Sequence, residues 1–283
     1  MYRKILAAVN ERLNSEVSAR YALKLANETG SALYLCYFAE KGTPERDFKY
    51  AENALKRLFK NAEDMGTSVK LWVETGDPVE KICKIVDSEG IDIVFAATRR
   101  EDVERRYYAG TTARRLSIRL PCSVALVRVV HMGRVHPGKV LVPLKAHVNH
   151  IAERSYFTGQ LAKAFDSEVY LFHITKPVIR FFHGEVHLRP AELEKKLPKD
   201  IEHFIKELDN YKVRPEKRLI SGIAGKSITI EATAKRFDLI IMGASERGLM
   251  SSLLQGNPVE DVLRETPCDL IILKPRHEDT SPF

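Results

Sequence analysis

The stretch LPCSVALVRV (residues 120–129) recurs further along the chain as TPCDLIILKP (266–275), with Pro and Cys at the same places and an apolar run after them. The same offset places IDIVFAA (91–97) on FDLIIMG (237–243). Self-similarity over a long, fixed interval is the sequence signature of tandem structural repeats. The chain is therefore predicted to contain two copies of one fold.

The beginnings of the two copies match as well. KILAAVN (4–10) lies on KVLVPLK (139–145), and ALYLCYF (32–38) lies on EVYLFHI (168–174). The offset at the beginnings is shorter than the offset at the ends. The second copy is therefore expected to carry extra residues between its second and third strands.

The segment between the copies, HMGRVHPG (131–138), contains the Gly and Pro residues typical of a linker. We therefore predict two domains, residues 1–130 and 138–276.

No apolar run approaches the roughly 18 to 20 residues that a membrane span needs, and the apolar run in the opening MYRKILAAVNER is too short for a signal peptide. The four cysteines are widely spaced, so we expect neither a disulfide framework nor a zinc site. Such cysteine usage predicts a cytoplasmic protein.

Within each copy, apolar runs alternate with helical patterns. Short continuous runs rich in Val, Ile and Leu are typical of strands buried on both faces. Asp77 and Pro78 stand where the N-cap and first residue of a helix are expected, and Gly90 stands where the helix is expected to end. Strands that alternate with helices predict an α/β fold of two tandem, doubly wound domains, each an α/β/α sandwich around a five-stranded parallel sheet. In the first copy the predicted strands are 4–9, 32–38, 69–74, 92–97 and 123–129.

The stretch GIAGKS (222–227) resembles the end of a phosphate-binding loop. Such a loop requires G-x-x-x-x-G-K-[ST], but residue 220, where its first glycine should stand, is Ile. The corresponding stretch of the first copy, GDPVEK (76–81), is only a turn into a helix. We therefore predict a structural role, in which Gly222 turns the chain and Lys226 is an exposed helical residue.

An anion site is predicted elsewhere, in the loop after the fourth strand of each copy. Ligands of doubly wound sheets bind beyond the carboxyl ends of the strands, near the point where the strand order reverses. In the first copy this loop ends at Gly110, and Thr111 and Thr112 follow at the start of a helix; in the second copy it ends at Gly256 and Asn257. Glycine allows a close approach of the backbone, and a helix N-terminus offers unpaired amides to an anion.

These features together resemble a tandem universal stress protein, a branch of the adenine-nucleotide α-hydrolase-like superfamily, over nearly the whole chain. ATP-binding members of that family carry G-x-x-G-x9-G-[ST] after strand four and an Asp at the end of strand one. Both copies keep the spacing but not all the residues. Ala97 and Arg100 replace the first two glycines of copy one, whereas copy two keeps Gly243 and has Glu246 in the second place.

The aspartate position is held by Asn10 in copy one and Lys145 in copy two. Asn10 can still hydrogen-bond a ribose hydroxyl, and the arginines of the copy-one loop favour phosphate, whereas Glu246 would repel it. Electrostatics therefore favours copy one. The resemblance implies ATP or AMP as the ligand, with or without Mg²⁺, and as its candidate binding residues Val9, Asn10, Phe38, Ala97, Arg99, Arg100, Gly110, Thr111 and Thr112 in copy one, and Leu144, Lys145, Ile174, Gly243, Gly248, Gly256 and Asn257 in copy two.

Three functions remain open at this point. The first is a stress-response protein regulated by an adenine nucleotide, and the second is a scaffold that has lost the nucleotide and acts through protein partners. The third is a slow ATP hydrolase, which we do not expect because no general base stands out. The resemblance also implies an internal pseudo-dimer formed by the last strands, 123–129 and 269–274, and a further dimer of two chains.

Two other motifs point to partners that we do not expect. His183 and His187 in HGEVH are four residues apart, but Gly184 stands where a zinc protease would have Glu. The segment DVERRYYAG (102–110) mixes arginines with tyrosines that could stack on nucleic acid bases. The same segment lies beside the predicted phosphate site, so nucleic acid binding is not the expected function.

Overall fold

The computed structural model describes residues 1–98, 111–133, 135–175, 197–221, 224–244 and 258–276. Strands and helices alternate within each half of the chain. The first half contains β1 (Lys4–Val9), α1 (Leu13–Thr29), β2 (Ala32–Ala39), α2 (Glu45–Asp64), β3 (Val69–Thr75), α3 (Pro78–Glu89), β4 (Ile93–Thr98), α4 (Thr112–Arg119) and β5 (Ser123–Arg128). The second half contains β6 (Lys139–Leu144), α5 (Ile151–Phe165), β7 (Glu168–Thr175), α6 (Lys199–Asp209), β8 (Glu216–Ser221), α7 (Ala224–Ala234), β9 (Leu239–Gly243), α8 (Pro258–Glu265) and β10 (Asp269–Lys274).

The ten strands form one continuous sheet in the order β3-β2-β1-β4-β5-β10-β9-β6-β7-β8. Neighbours within each half are parallel, and the central pair β5–β10 is antiparallel, with Leu270 opposite Arg128 and Lys274 opposite Val124. The predicted α/β fold and the predicted pairing of the last strands are thus confirmed. Each first-half strand begins and ends within one residue of its predicted first and last residues. The domain limits at 130 and 138, like the dimer of two chains, stay predictions.

The repeat is visible in the hydrogen bonds that begin each half. The carboxylate of Asp92 accepts from the backbone amides of Arg3 and Lys4, at 2.7 and 2.9 Å. Asp238, its counterpart in the second copy, accepts from the amide of Lys139 at 2.9 Å. Both aspartates stand just before the fourth strand of their half and fix the start of the first strand, so the duplication extends to side-chain contacts.

Buried polar contacts join the two halves at the central strand pair. The hydroxyl of Tyr21 on α1 donates to Asp269 at the start of β10, at 2.8 Å. Asp269 also accepts from the amides of Val130 and His131, at 2.8 and 3.0 Å. A buried carboxylate is stable only when such donors replace water. Since Asp269 is buried, it holds the first half and the second half in one arrangement.

The two ends of α3 follow the predicted capping residues. Asp77 accepts from the amide of Glu80 at 2.9 Å, Pro78 is the first residue of α3, and Gly90 after its end has a φ of 65°. Only glycine adopts this left-handed conformation without strain. These residues set where α3 starts after β3 and where it ends. No helix in the described ranges is long and apolar enough to span a membrane, and all four cysteines are free thiols.

Candidate functional site

A cavity of about 420 Å³ lies in the first half, beyond the carboxyl ends of β1, β2 and β4. The strand order reverses between β1 and β4, and this is the place where ligands of doubly wound sheets bind. Most of the predicted copy-one residues meet there. Val9, Asn10, Phe38, Ala97, Thr111 and Thr112 line the cavity, whereas Arg99, Arg100 and Gly110 lie outside the described residues.

Asn10 occupies the turn between β1 and α1. Its side-chain Oδ1 accepts from the amide of Arg12 at 2.9 Å, and its own amide donates to Ser15 Oγ at 2.9 Å. The turn is therefore fixed by local bonds that use the carbonyl end of the side chain. Because no acceptor for Nδ2 is found in the described ranges, the donor end of Asn10 is available to a ligand.

Helix α4 begins at the same cavity. Thr111 caps it, since its Oγ1 accepts from the amide of Arg114 at 3.3 Å. Thr112 and Ala113, in the first turn of the helix, line the cavity together with Thr111. Amides of a first turn have no partner inside their helix, and the helix dipole places a partial positive charge there. This end of the cavity is suited to an anionic group.

The cavity also contains buried polar atoms that have no partner among the described residues. Asn14 Nδ2 donates to the carbonyl of Thr98 at 3.2 Å, but Asn14 Oδ1 and the hydroxyl of Tyr37 make no hydrogen bond within the part of the chain that the structure describes. Both residues line the cavity. Such atoms are rare in proteins and cost about 1–3 kcal/mol each. A ligand that gives a donor to Asn14 and an acceptor to Tyr37 would remove this cost.

Sequence reasoning missed both Asn14 and Tyr37. Tyr37 precedes the predicted Phe38 on β2, and Asn14 lies one helical turn after the predicted Asn10, so proximity to those residues was the available signal. Burial, followed by the charges of Glu11 and Asp47, raises the pKa of Tyr37 above its ordinary value. The hydroxyl therefore stays protonated and can act as a donor.

Charged residues surround the mouth of the first-half cavity. Three of those lining it are acidic, Glu11, Glu40 and Asp47, and two are basic, Arg12 and Lys41. Apolar residues of α3 and α4, among them Ile82 and Leu116, form another wall. The described part of the cavity thus combines a helix N-terminus, an apolar wall and a mildly acidic mouth.

The second half has a related cavity of about 540 Å³ beyond the carboxyl ends of β6, β7 and β9. The predicted residues Leu144, Lys145, Ile174 and Gly243 line it. The other predicted copy-two residues, Gly248, Gly256 and Asn257, lie outside the described residues, as does Glu246.

Arg154 gives the second cavity a different chemistry. A Cβ atom added to Gly243 would lie closer than 3.0 Å to the guanidinium of Arg154. Glycine at the end of β9 therefore makes room for this side chain. Burial lowers the pKa of Arg154 to about 10. No sequence pattern indicated Arg154, which projects from α5, because the contact depends on how α5 packs against β9.

The two cavities also differ in charge. The second is lined by four basic residues, Lys145, Arg154, Lys274 and Arg276, and by no Asp or Glu among the described residues. On these residues it is the more positive of the two cavities. The predicted preference for copy one rested on loop residues outside the described ranges and stays a prediction.

From Ala224 onward, the GIAGKS stretch is helical. Gly225 is buried in α7, where an added Cβ would lie 2.6 Å from the Cβ of Asp261 on α8. Lys226 is exposed, as predicted. Gly225 therefore allows two helices to approach closely, and the segment from residue 224 onward has no phosphate-loop geometry. Gly222, the HGEVH motif and DVERRYYAG lie outside the described residues.

Comparison with known proteins identifies the same repeat. The model of the universal stress protein family matches residues 1–128 and again 139–274. Universal stress protein MJ0531 of Methanocaldococcus jannaschii is 25% identical over 122 residues, which are 42% of this chain and 72% of that protein. A crystal structure of a universal stress protein from Archaeoglobus fulgidus covers 98% of this chain and 97% of its own, with a TM-score of 0.65 and 16% identity. One from Pseudomonas aeruginosa covers 97% and 94%, with a TM-score of 0.64 and 19% identity.

Proposed function

The chain belongs to the universal stress protein family, and on that premise we propose that it is a stress-response protein whose first-half cavity binds an adenine nucleotide, AMP or ATP. The observation that carries the proposal is a pair of buried polar groups without a partner among the described residues, Asn14 Oδ1 and the hydroxyl of Tyr37, on the wall of a cavity at the strand reversal. Buried polar groups are rarely left without hydrogen-bond partners in a protein unless a ligand supplies the partners.

The parts of a nucleotide correspond to the parts of this cavity. Adenine has an apolar face for the wall formed by Ile82 and Leu116, and its amino group and ring nitrogens offer both a donor and acceptors. The ribose hydroxyls can accept from Asn10 Nδ2. The phosphate is expected at the first turn of α4, where Thr112 begins the helix.

The charges around the mouth favour some phosphate states over others. Three carboxylates and two basic side chains line the described part of the cavity. A triphosphate without a counterion carries more negative charge than a monophosphate and is repelled more strongly by those carboxylates. We therefore expect AMP and Mg²⁺-bound ATP to bind more tightly than ATP in the presence of a chelator.

Calorimetric titration of the full chain with AMP, and with ATP in the presence of Mg²⁺ or a chelator, tests the proposal. The informative variant is Tyr37→Phe, which removes only an unpartnered hydroxyl. One neutral hydrogen bond is worth about 0.5–1.5 kcal/mol, so the affinity should fall about 2- to 12-fold. The free variant should be at least as stable as the unmodified protein, because it loses a buried polar group that had no partner.

Tyr34→Phe is the matched control on the same strand. The hydroxyl of Tyr34 donates to Glu89 at 2.7 Å, away from the cavity. This variant should keep the affinity for AMP unchanged. Absence of AMP binding at millimolar concentration would contradict the proposal and favour the scaffold that acts through protein partners. Equal affinities of the unmodified protein and Tyr37→Phe would contradict the assigned position.

A further inference from the structure

We propose that the second-half cavity binds a small organic anion that has a carboxylate or phosphate head, an apolar body and no ribose, and that Arg154 holds the head. The two halves of the chain would then have different ligands. The proposal rests on the geometry of Arg154, the charges around it and the apolar residues that complete the cavity.

The guanidinium of Arg154 lies against the backbone of Gly243 and lines the cavity. No acceptor for it lies within hydrogen-bond distance in the described part of the chain. An arginine has five N–H donors in a planar arrangement that matches the two oxygens of a carboxylate or a phosphate. A partly buried cation that has no partner among the described residues is less well solvated than an exposed one, and a bound oxyanion would supply the partner.

The surroundings add positive potential. Lys145 and Arg276 line the same cavity, whereas Lys274 is engaged by the main chain, since its Nζ donates to the carbonyl of Leu120 at 2.7 Å. The described lining contains no Asp or Glu. Helices α7 and α8 begin at or beside the cavity, which Ala224 and Pro258 line. The positive ends of these two helix dipoles reinforce the attraction for an anion.

The remaining walls define the body of the ligand. They are largely apolar, and their side chains include Leu144, Phe172, Ile174, Ile228, Met242 and Val259. Lys145, a cation, directly follows the end of β6 on the wall of the cavity. Since the described lining has no carboxylate to accept from ribose hydroxyls, an apolar group fits better than a nucleoside.

Four probes separate the contributions of head and body: phenyl phosphate, benzoate, the neutral benzyl alcohol, and AMP. They are titrated into the full chain, Arg154→Met, Arg154→Lys and the control Arg214→Met, which removes an exposed arginine before β8. We expect at least one aromatic anion to bind and benzyl alcohol not to bind. Whichever of phenyl phosphate and benzoate binds more tightly identifies the preferred head group as phosphate or carboxylate.

The variants test the role of Arg154. Hydrogen bonds to a charged group are worth about 1.5–3 kcal/mol, so Arg154→Met should weaken the anion about tenfold or more. The affinity of Arg154→Lys should fall between those of the unmodified protein and Arg154→Met, because lysine keeps the charge but loses the bidentate geometry. Arg214→Met should leave the affinity unchanged. Gly243→Ala keeps the charge but displaces the guanidinium, so it should weaken the same probe.

Loss of binding in Arg154→Met must not reflect unfolding. Removal of a partly buried charge that has no partner among the described residues should leave the melting temperature of the free variant equal or higher. Binding of benzyl alcohol as tightly as the anions, unchanged affinity in Arg154→Met, or no binding of either anion at about 10 mM, a concentration that detects even weak ligands, would each overturn the proposal. It would also be overturned if AMP bound more tightly than phenyl phosphate and lost that affinity in Arg154→Met.

Discussion

Substitution of Gly225 by Ala sets two well-defined effects against each other. Gly225 is buried in α7, and an added Cβ would lie 2.6 Å from both the Cβ and the Oδ2 of Asp261 on α8, and 3.0 Å from its Cγ. Rotation of the Asp261 side chain can move Oδ2 and Cγ. It cannot move the Cβ, which is fixed to the helix backbone, so the two helices must separate.

The expected magnitude follows from the balance of these effects. Alanine is better than glycine inside a helix by about 0.5–1 kcal/mol. Overpacking of a close contact costs about 1–3 kcal/mol. Since carbon atoms in contact lie about 3.5–4.0 Å apart, the clash requires a shift on the order of 1 Å and should dominate. We expect the free energy of unfolding to fall by about 1 kcal/mol or more.

Urea unfolding of Gly225→Ala, Asp261→Gly and the double variant measures the effect as a double-mutant cycle. Residues in contact typically show coupling of about 0.5–3 kcal/mol, and we expect Asp261→Gly to relieve the cost of Gly225→Ala. An increase in stability for Gly225→Ala, of the size seen at an unconstrained helical glycine, would refute the reasoning.

Lys226→Met should keep any affinity of the protein for AMP. If Lys226 belonged to a phosphate loop, the same substitution would abolish that affinity.

Two further expectations concern buried charges. Tyr21→Phe removes one of the donors to the buried Asp269 and should lower the free energy of unfolding in urea by about 1–3 kcal/mol; unchanged stability would contradict the role of this contact in joining the halves. Burial raises the pKa of Glu16, but hydrogen bonds from Arg57 and Arg20 outweigh this and leave the pKa below its ordinary value. Its stabilisation is therefore present above the pKa of an unfolded Glu, about 4.3, and is lost as the pH falls through the lower folded value. Glu16→Gln should therefore lower the melting temperature more at pH 7 than at pH 3, and an equal loss at both would count against the ion pairs.

The fold could be predicted because its determinants are local or repeated. The match of LPCSVALVRV to TPCDLIILKP predicted the duplication, and short apolar runs gave the first-half strands to within one residue. Caps such as Asp77 and Gly90 act on their own helix ends, so the sequence shows them directly.

The chemistry of the cavities was less accessible for a physical reason. The vicinity of the first-half site follows from strand ends. Thr111 was predicted from its position at the start of the next helix, whereas Asn10 was implied by the family resemblance. The unpartnered groups of Asn14 and Tyr37 depend on burial, which only the packed structure defines. The contact between Arg154 and Gly243 joins residues far apart in the chain, and a glycine read alone suggests backbone approach to a ligand rather than room for a side chain.

The central claim is that the two halves of one duplicated fold bind different ligands. A crossed titration tests it most directly: AMP and the better aromatic anion, each titrated into Tyr37→Phe and Arg154→Met. We expect Tyr37→Phe to weaken only AMP and Arg154→Met to weaken only the aromatic anion. If both variants weaken the same ligand, or neither variant changes either affinity, the claim is contradicted.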